Sequence, residues 1–184
     1  MDIYPLVIAP DPALRRKADP LTNITGETLA ILERMLATMY FKNRGIGLAA
    51  PQVNINQRLV VMDTTYREKD KQPLLLINPE IIWQSDEPNI YEEGCLSLPG
   101  FYAEITRPKK VGVRYLDQSG KPQEFEADDL LATCVQHEID HLNGVLFVDY
   151  LSKLKREMIL KRLLKQKKEG VFDRADGGQE EHSL

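Results

Sequence analysis

Two histidines and a glutamate lie close together in the segment His137–His141, which reads HEIDH. Residues four positions apart on a helix project from the same face, so His137 and His141 are placed to bind one metal ion. Glu138 is placed to take a proton from a water molecule beside that ion. Only one of the three histidines, His182, lies outside this segment. The spacing favours a metal site over two histidines that merely face solvent.

A catalytic metal site of this kind usually has three protein ligands and one open position. Cys95 is the best candidate for the third ligand, because glycines and a proline flank it in the segment Glu93–Gly100 and let the backbone come close to a ligand or substrate. The alternative role of a free cysteine, a small buried apolar residue, fits Cys134 well and stays open for Cys95. Thiolate and imidazole ligands suit zinc, ferrous iron or cobalt, and their chemistry alone favours zinc.

The elements that position these residues follow from residue patterns. Leucine and methionine recur at spacings of three and four in an amphipathic helix predicted for residues 27–41. A second helix begins at Asp128, carries both histidines and ends near Gly144, and a third covers about 151–168. Segments 58–63 and 74–83 are rich in Val, Ile and Leu and predict strands. Residues 110–116 alternate around apolar positions, and 121–126 is the expected hairpin partner of that strand, so the middle of the chain is predicted to be mostly antiparallel sheet.

Length and composition limit the organisation of the chain. With 184 residues, 42% of them hydrophobic, it can bury one substantial core and is too short for two ordinary domains. We expect one domain over residues 1–168 and a flexible polar tail over 169–184. The net charge of −4 disfavours a protein that coats nucleic acid. No apolar stretch approaches the roughly 20 residues of a membrane helix and no signal peptide is evident, so we expect a cytoplasmic protein.

Three segments together resemble the peptide deformylase family: Gly45–Gln52 (GIGLAAPQ), Glu93–Ser97 (EGCLS) and Gln136–His141 (QHEIDH). Each is weak to moderate alone, but all three in this order are highly specific. The resemblance extends from the N-terminus to about residue 168. It implies an α+β fold in which antiparallel β-sheets surround a central metal-binding helix, with a further helix at the C-terminal end.

The resemblance also implies a site and a reaction. Three residues would bind the metal: Cys95, His137 and His141. Glu138 would be the catalytic base and acid, while the Gln52 side chain and the Leu96 backbone N–H would contact the formyl oxygen. The native metal of the family is usually Fe(II), and Zn, Ni or Co can replace it in purified protein. Metal-bound water would then attack the formyl group of formyl-methionine on newly synthesised polypeptides and release formate.

Five residues are predicted to bind the substrate: Ile46, Gly47, Gly94, Leu130 and Cys134. The extended segment with Gly47 can pair its backbone with a peptide as an added strand, which tolerates many peptide sequences. Ile46, Leu130 and Cys134 are candidates for a methionine pocket, since Cys134 lies three residues before His137 on the same helical face. The alternative for these three is plain core. Some family members have a peptide-binding arginine at the position of Tyr102, and Arg107 matches another family arginine.

The predicted C-terminal helix is strongly basic. Eight Lys or Arg residues lie between Leu151 and Lys168, against a single Glu157. A solvated helix packed on the domain edge is one interpretation, because several leucines and Met158 give it a partly apolar face. The other is contact with a polyanion, and the resemblance implies the ribosome as that partner. Such binding weakens steeply with salt.

Two other functions are compatible with part of the pattern. A zinc endopeptidase also uses His-Glu-x-x-His on a helix, but Cys95 as the third ligand and the segment Gly47–Gln52 disfavour it. A structural metal domain or a formyl-peptide-binding module is the non-enzymatic alternative. Structural zinc sites are usually closed by four protein ligands, whereas here only three are evident and a base lies beside them.

Overall fold

The computed structural model describes residues 3–41, 45–65, 68 and 71–172. Within these ranges the helices are α1 (Gly26–Tyr40), α2 (Asp129–Leu142) and α3 (Lys153–Lys168). The strands are β1 (Gly47–Ala49), β2 (Leu59–Met62), β3 (Leu74–Gln84), β4 (Pro88–Gly94), β5 (Tyr102–Pro108), β6 (Lys110–Leu116) and β7 (Pro122–Asp128). Helices and antiparallel sheets are both present, so the predicted α+β class is confirmed.

The strands form two antiparallel sheets. The larger one has five strands in the order β1-β2-β3-β6-β7, and β6 and β7 form the predicted hairpin. The smaller one consists of β4 and β5, which no residue pattern had indicated. Charged residues lie on the buried and on the exposed face of this hairpin, so its strands lack the apolar signal of a half-buried sheet. The segment between β4 and β5 contains Cys95.

Helix α2 is the centre of the molecule. Its N-cap is Asp128, whose side chain accepts the N–H of Asp129, as the sequence predicted. It is buried over most of its length, and it packs on Val60, Met62 and neighbouring residues of the large sheet. Helix α1 packs on the opposite face of the same sheet, where Leu59 and Val61 point. The apolar run of β2 is therefore buried on both faces.

Gly144 ends the helical region as predicted. Its φ of +74° suits glycine, and a Cβ at this position would lie 2.5 Å from the carbonyl oxygen of Arg15. The close approach lets the N-terminal segment cross the end of α2. Ala18 N–H in that segment donates to the Leu142 carbonyl, which is one of the free acceptors at the helix C-terminus.

Helix α3 begins two residues later than predicted, with Ser152 as its N-cap. It packs on Leu98 and Phe147 through its own apolar residues Ile159, Leu160 and Leu163. The described helices include none long and apolar enough to cross a membrane. Residues 173–184, most of the predicted tail, and with them His182, lie outside the described residues, so the flexible tail and the domain boundary stay predictions.

Candidate active site

The structure brings the three predicted metal ligands together. Cys95 follows β4, whereas His137 and His141 lie one turn apart on α2. Their ligand atoms all lie within 4.8 Å of one another, and Cys95 Sγ is 3.2 Å from His141 Nε2. In the part of the chain that the structure describes, this is the one group of such residues close enough to share a metal ion. Three ligands leave a coordination position for water or substrate.

A buried ion pair orients His137. His137 Nδ1–H donates to Glu93 Oε2 over 2.8 Å, which leaves Nε2 for the side of Cys95. Arg107 binds both oxygens of Glu93, with distances of 2.6 Å and 3.0 Å. Burial acts to raise the pKa of Glu93, but the hydrogen bonds from His137 and Arg107 outweigh it and hold this pKa below its ordinary value. Glu93 is therefore ionised, and its carboxylate accepts the hydrogen bonds from His137 and Arg107.

No residue pattern in the sequence assigns a role to Glu93. Its carboxylate lies on the inner face of β4, and its side chain is only 5% exposed. A single glutamate in a polar strand is usually exposed to solvent, so the sequence gives no sign that Glu93 is buried. Its buried partner Arg107 lies fourteen residues later on β5, a separation that no local pattern connects.

The chemistry of the ligand atoms fits a divalent metal. Burial lowers the pKa of His141 well below its ordinary value, so its ring is neutral and keeps a lone pair. Burial acts in the same direction on His137, but its hydrogen bonds with Cys95 and Glu93 outweigh burial and raise the pKa of this histidine. Two buried polar atoms here, His141 Nδ1 and Glu138 Oε2, have no hydrogen-bond partner among the described residues. Thiolate and imidazole together suit borderline metals such as zinc or ferrous iron.

Glu138 lies beside these ligands, 4% exposed. Burial raises its pKa to about 7, so near neutral pH the carboxyl group can both take and return a proton. Gly47 of β1 lies directly against it: a Cβ at residue 47 would be 2.9 Å from Glu138 Cδ and closer still to Oε1. Only a residue without a side chain fits between the strand and this carboxyl group.

A pocket of about 500 Å³ opens onto Glu138 and His137. All five predicted substrate-binding residues line it: Ile46, Gly47, Gly94, Leu130 and Cys134. His141 is not among the lining residues. Burial raises the pKa of the Cys134 thiol well above its ordinary value, so Cys134 stays a neutral thiol and contributes apolar surface. Leu130 is 39% exposed, which separates it from the core.

Gln52 turns its amide nitrogen toward the site. Its Oε1 accepts the N–H of Ala49 over 2.8 Å, and this contact fixes which end of the amide points outward. Nε2 then lies 3.4 Å from Cys95 Sγ and 3.2 Å from Ser97 Oγ. Leu96 lines the same pocket. Gln52 therefore directs a buried donor at Cys95, and its side chain lines the pocket.

Two strand edges border the pocket. β1 is an end strand of the large sheet, and β4 pairs only with β5 among the described strands. Residues of both strands line the cavity, so an extended peptide can lie between them and use their backbone groups. Tyr102 closes one side of the pocket, where its ring lies directly against Gly94. A Cβ at residue 94 would be 2.5 Å from the Cε1 atom of this ring. Tyr102 is 66% exposed, with its ring at the mouth.

Comparisons with known proteins identify relatives of this chain. The model of the polypeptide deformylase family matches residues 3–157. The chain is 53% identical over 169 residues to a peptide deformylase of Bartonella henselae, with 92% of this chain and 96% of the relative covered. For a relative of the same name from Rhizobium meliloti, the identity is 52% over 168 residues, with 91% and 96% covered.

Solved structures give the same result. The crystal structure of a peptide deformylase from Legionella pneumophila superposes with a TM-score of 0.83 at 43% identity, covering 91% of this chain and 96% of that one. A peptide deformylase from Ehrlichia chaffeensis in complex with actinonin gives 0.84 at 37% identity, covering 92% and 99%. The likeness therefore extends over most of the chain.

Proposed function

We propose a function for this chain from the fact that it belongs to the peptide deformylase family, whose members are hydrolases. The family supports removal of the N-formyl group from nascent peptides. For this chain we propose that the substrate group is formyl-methionine and that one divalent metal is held by Cys95, His137 and His141. The observation that carries the proposal is the approach of these three side chains to within 4.8 Å, with buried Glu138 beside them.

The metal is proposed to be Fe(II) in the native protein, with Zn, Ni or Co able to replace it after purification. The thiol and two imidazoles support a metal of this group, and the family resemblance supports iron within it. When bound, such a metal acts as a Lewis acid that makes a water molecule more acidic and polarises the formyl carbonyl. Glu93 contributes by keeping His137 turned toward Cys95.

Glu138 is proposed to move the protons of the reaction. Its carboxylate takes a proton from the attacking water, whose oxygen forms a bond to the formyl carbon. The carbonyl oxygen becomes negatively charged, and the Gln52 amide and the Leu96 backbone N–H donate hydrogen bonds to it. Glu138 then gives the proton to the amine nitrogen as the carbon–nitrogen bond breaks. The products are formate and a peptide with a free N-terminus.

The peptide is proposed to lie as an extended strand between β1 and β4. Backbone pairing at both edges accounts for tolerance of many sequences, because it uses groups that every residue possesses. The methionine side chain would lie against Ile46, Leu130 and Cys134. Support comes from their place in the pocket wall, and from Leu130 being too exposed to serve as core.

Helix α3 is proposed to bring the enzyme to the ribosome. Its eight Lys and Arg residues outnumber the single Glu157, and Leu154 and Met158 are 71% and 61% exposed. A basic surface with exposed apolar groups suits ribosomal RNA or protein. This contact would place deformylation where new chains emerge, in the cytoplasm.

The test is formate release from a formyl-Met-Ala-Ser peptide by anaerobically prepared, iron-loaded protein, with mass spectrometry of the peptide. We expect formate and an otherwise intact peptide. Cleavage between Met and Ala, or between Ala and Ser, would instead indicate an endopeptidase. Absence of formate from protein that demonstrably contains iron would contradict deformylation and favour a binding module.

A further inference from the structure

A chain of polar contacts connects His137 with the residues that precede α3. His137 binds Glu93, and Glu93 is bound by Arg107. Beyond Arg107 lie Asp140 and Tyr150, neither of which lines the pocket. We propose that Tyr150 and Asp140 are positioning residues: they fix Arg107, and through Glu93 they fix the His137 ring in the orientation that binds metal. This inference rests on the metal site proposed above.

Every arm of the Arg107 guanidinium is in use. Nε and Nη2 donate to the two oxygens of Glu93, and Nη1 donates to Asp140 Oδ2 over 2.8 Å. The Tyr150 hydroxyl donates to the same Asp140 oxygen over 2.8 Å, and it lies 3.4 Å from Nη1. The guanidinium carbon also lies 4.8 Å from the centre of the Tyr150 ring. A planar group held at all three nitrogens cannot rotate without breaking contacts.

These contacts form a closed loop with helix α2. Asp140 lies three residues after His137, so both side chains project from neighbouring positions of one helix. Arg107 holds Asp140 with one nitrogen and, with the other two, holds the carboxylate that binds the His137 ring. The ring is thereby fixed relative to its own helix. Loss of the Asp140 contact would leave Arg107 with Glu93 and the longer contact to Tyr150, and would break the link between the arginine and α2.

Tyr150 is the outermost residue of the loop. It ends the 3₁₀ turn Phe147–Tyr150 and is 51% exposed, whereas the Arg107 side chain is only 4% exposed. Tyr150 is therefore the most exposed of the residues that hold Arg107 in place. A tyrosine needed only for packing would not have to direct its hydroxyl at the carboxylate that binds Arg107. The same turn also contains Asp149, which contacts Arg15 and Arg156 instead.

The test uses Tyr150→Phe, which keeps the ring over Arg107 and removes only the hydroxyl. Two controls match it. Tyr115→Phe removes the hydroxyl of a tyrosine that packs edge-on against Phe125 on the large sheet. Asp149→Asn weakens the same 3₁₀ turn without touching Arg107. The full-length proteins are loaded with Co(II), and two quantities are measured: the rate of metal loss to a chelator and the visible absorption spectrum of the bound metal.

We expect Tyr150→Phe to lose cobalt up to about tenfold faster than the parent and to shift the spectrum, since partners beyond the ligands typically change metal affinity by about 10–100-fold. Asp140→Asn should have a larger effect in the same direction, and both controls should match the parent. Equal metal loss in Tyr150→Phe and Tyr115→Phe, or equally fast loss in Asp149→Asn, would overturn the inference. A parent protein that binds no cobalt would instead overturn the proposed metal site itself.

Discussion

Gly47 and Glu138 touch so closely that any side chain at residue 47 would displace the carboxyl group: a Cβ there would be 2.9 Å from Glu138 Cδ. We predict that Gly47→Ala lowers kcat by about 10²-fold, because a shift of about 1 Å in a catalytic group has an effect of that size. Metal content should stay unchanged, since the three atoms nearest the new methyl group belong to Glu138 and Cys134 and not to a metal ligand. Steady-state kinetics and metal analysis of the same samples give both quantities.

The matched control is Gly26→Ala. Nothing lies within 4 Å of a Cβ at Gly26, and the residue lies in the first turn of α1. Its activity should equal that of the parent. A Gly47→Ala protein with the parent's kcat would show that Glu138 does not need its present position.

Gln52 is predicted to act through its amide nitrogen. Gln52→Glu keeps an oxygen to accept the Ala49 N–H and replaces the donor that points at the site. We expect kcat to fall by about 10²–10³-fold, the usual effect of losing one donor to a developing oxyanion. Gln84→Glu, at the exposed end of β3, adds the same charge elsewhere and should be neutral. Equal kcat values for the two variants would rule out the proposed role of Gln52.

The buried pair of Glu93 and Arg107 is predicted to matter for stability as well as for orientation. Arg107→Met leaves the Glu93 carboxylate without its bidentate partner, and breaking a buried pair on one side costs about 3–5 kcal/mol. The free energy of unfolding from urea titration measures this loss. Glu93→Gln combined with Arg107→Met should recover part of it, because residue 93 is then no longer an unpaired buried charge. Arg114→Met, at an exposed pair with Glu124, should change little. A double variant less stable than Arg107→Met alone would contradict this account.

Asp117 is predicted to make the β6–β7 hairpin sensitive to acid. Hydrogen bonds from Ser119, Gln123 and Lys121 hold the pKa of Asp117 well below its ordinary value. A lowered folded-state pKa stabilises the fold above the unfolded value of 3.8, and this contribution disappears as the pH falls through the folded-state pKa. Asp117→Ala should therefore be less stable than the parent at pH 6, with a difference that shrinks below pH of about 4.

The measurement is thermal unfolding of both proteins across this pH range. Asp86→Ala serves as the control, since Asp86 is exposed in the β3–β4 turn. A difference between Asp117→Ala and the parent that stays constant down to pH of about 2 would show that these hydrogen bonds do not depend on ionised Asp117.

Ribosome binding through α3 is predicted to depend on its charges. Lys161→Glu with Lys168→Glu should weaken co-sedimentation with ribosomes, and the affinity of the parent should fall steeply with salt. Deformylation of a free peptide should not change, because neither lysine lines the pocket. Lys17→Glu with Lys121→Glu makes the same change of charge on other exposed segments. If both double variants bind ribosomes equally, the net charge rather than α3 determines the interaction.

The site was predictable where it depends on local geometry. His137, Glu138 and His141 could be named because helical periodicity fixes their spacing. Cys95 could be named too, but its contact with His141 spans 46 residues and depends on the β4–β5 hairpin, which residue patterns did not reveal. A strand is recognised by alternation of apolar and polar residues, and in β4 the buried inner position next to the site is a glutamate.

The roles of Arg107 and Tyr150 could not be derived for the same reason. Each contributes through a partner distant in sequence, and a charged or exposed residue gives no local sign that its partner is buried. Four of the five strands of the larger sheet and all three helices, in contrast, followed from residue patterns, turns and capping residues, whereas β1 was predicted only as an extended segment. The helices and the apolar strands were thus predictable from sequence, whereas the β4–β5 hairpin and the polar contacts between elements required the structure.

The most direct test of the central claim compares the parent with Glu138→Gln, both iron-loaded without oxygen, for formate release and metal content. The matched control is Glu124→Gln, an exposed change on β7. We predict equal metal content in all three proteins and a loss of formate release of about 10²–10⁴-fold in Glu138→Gln alone, the range for a proton-transferring side chain. Formate release by Glu138→Gln at the rate of the parent would contradict the assignment of Glu138 as the group that moves the protons.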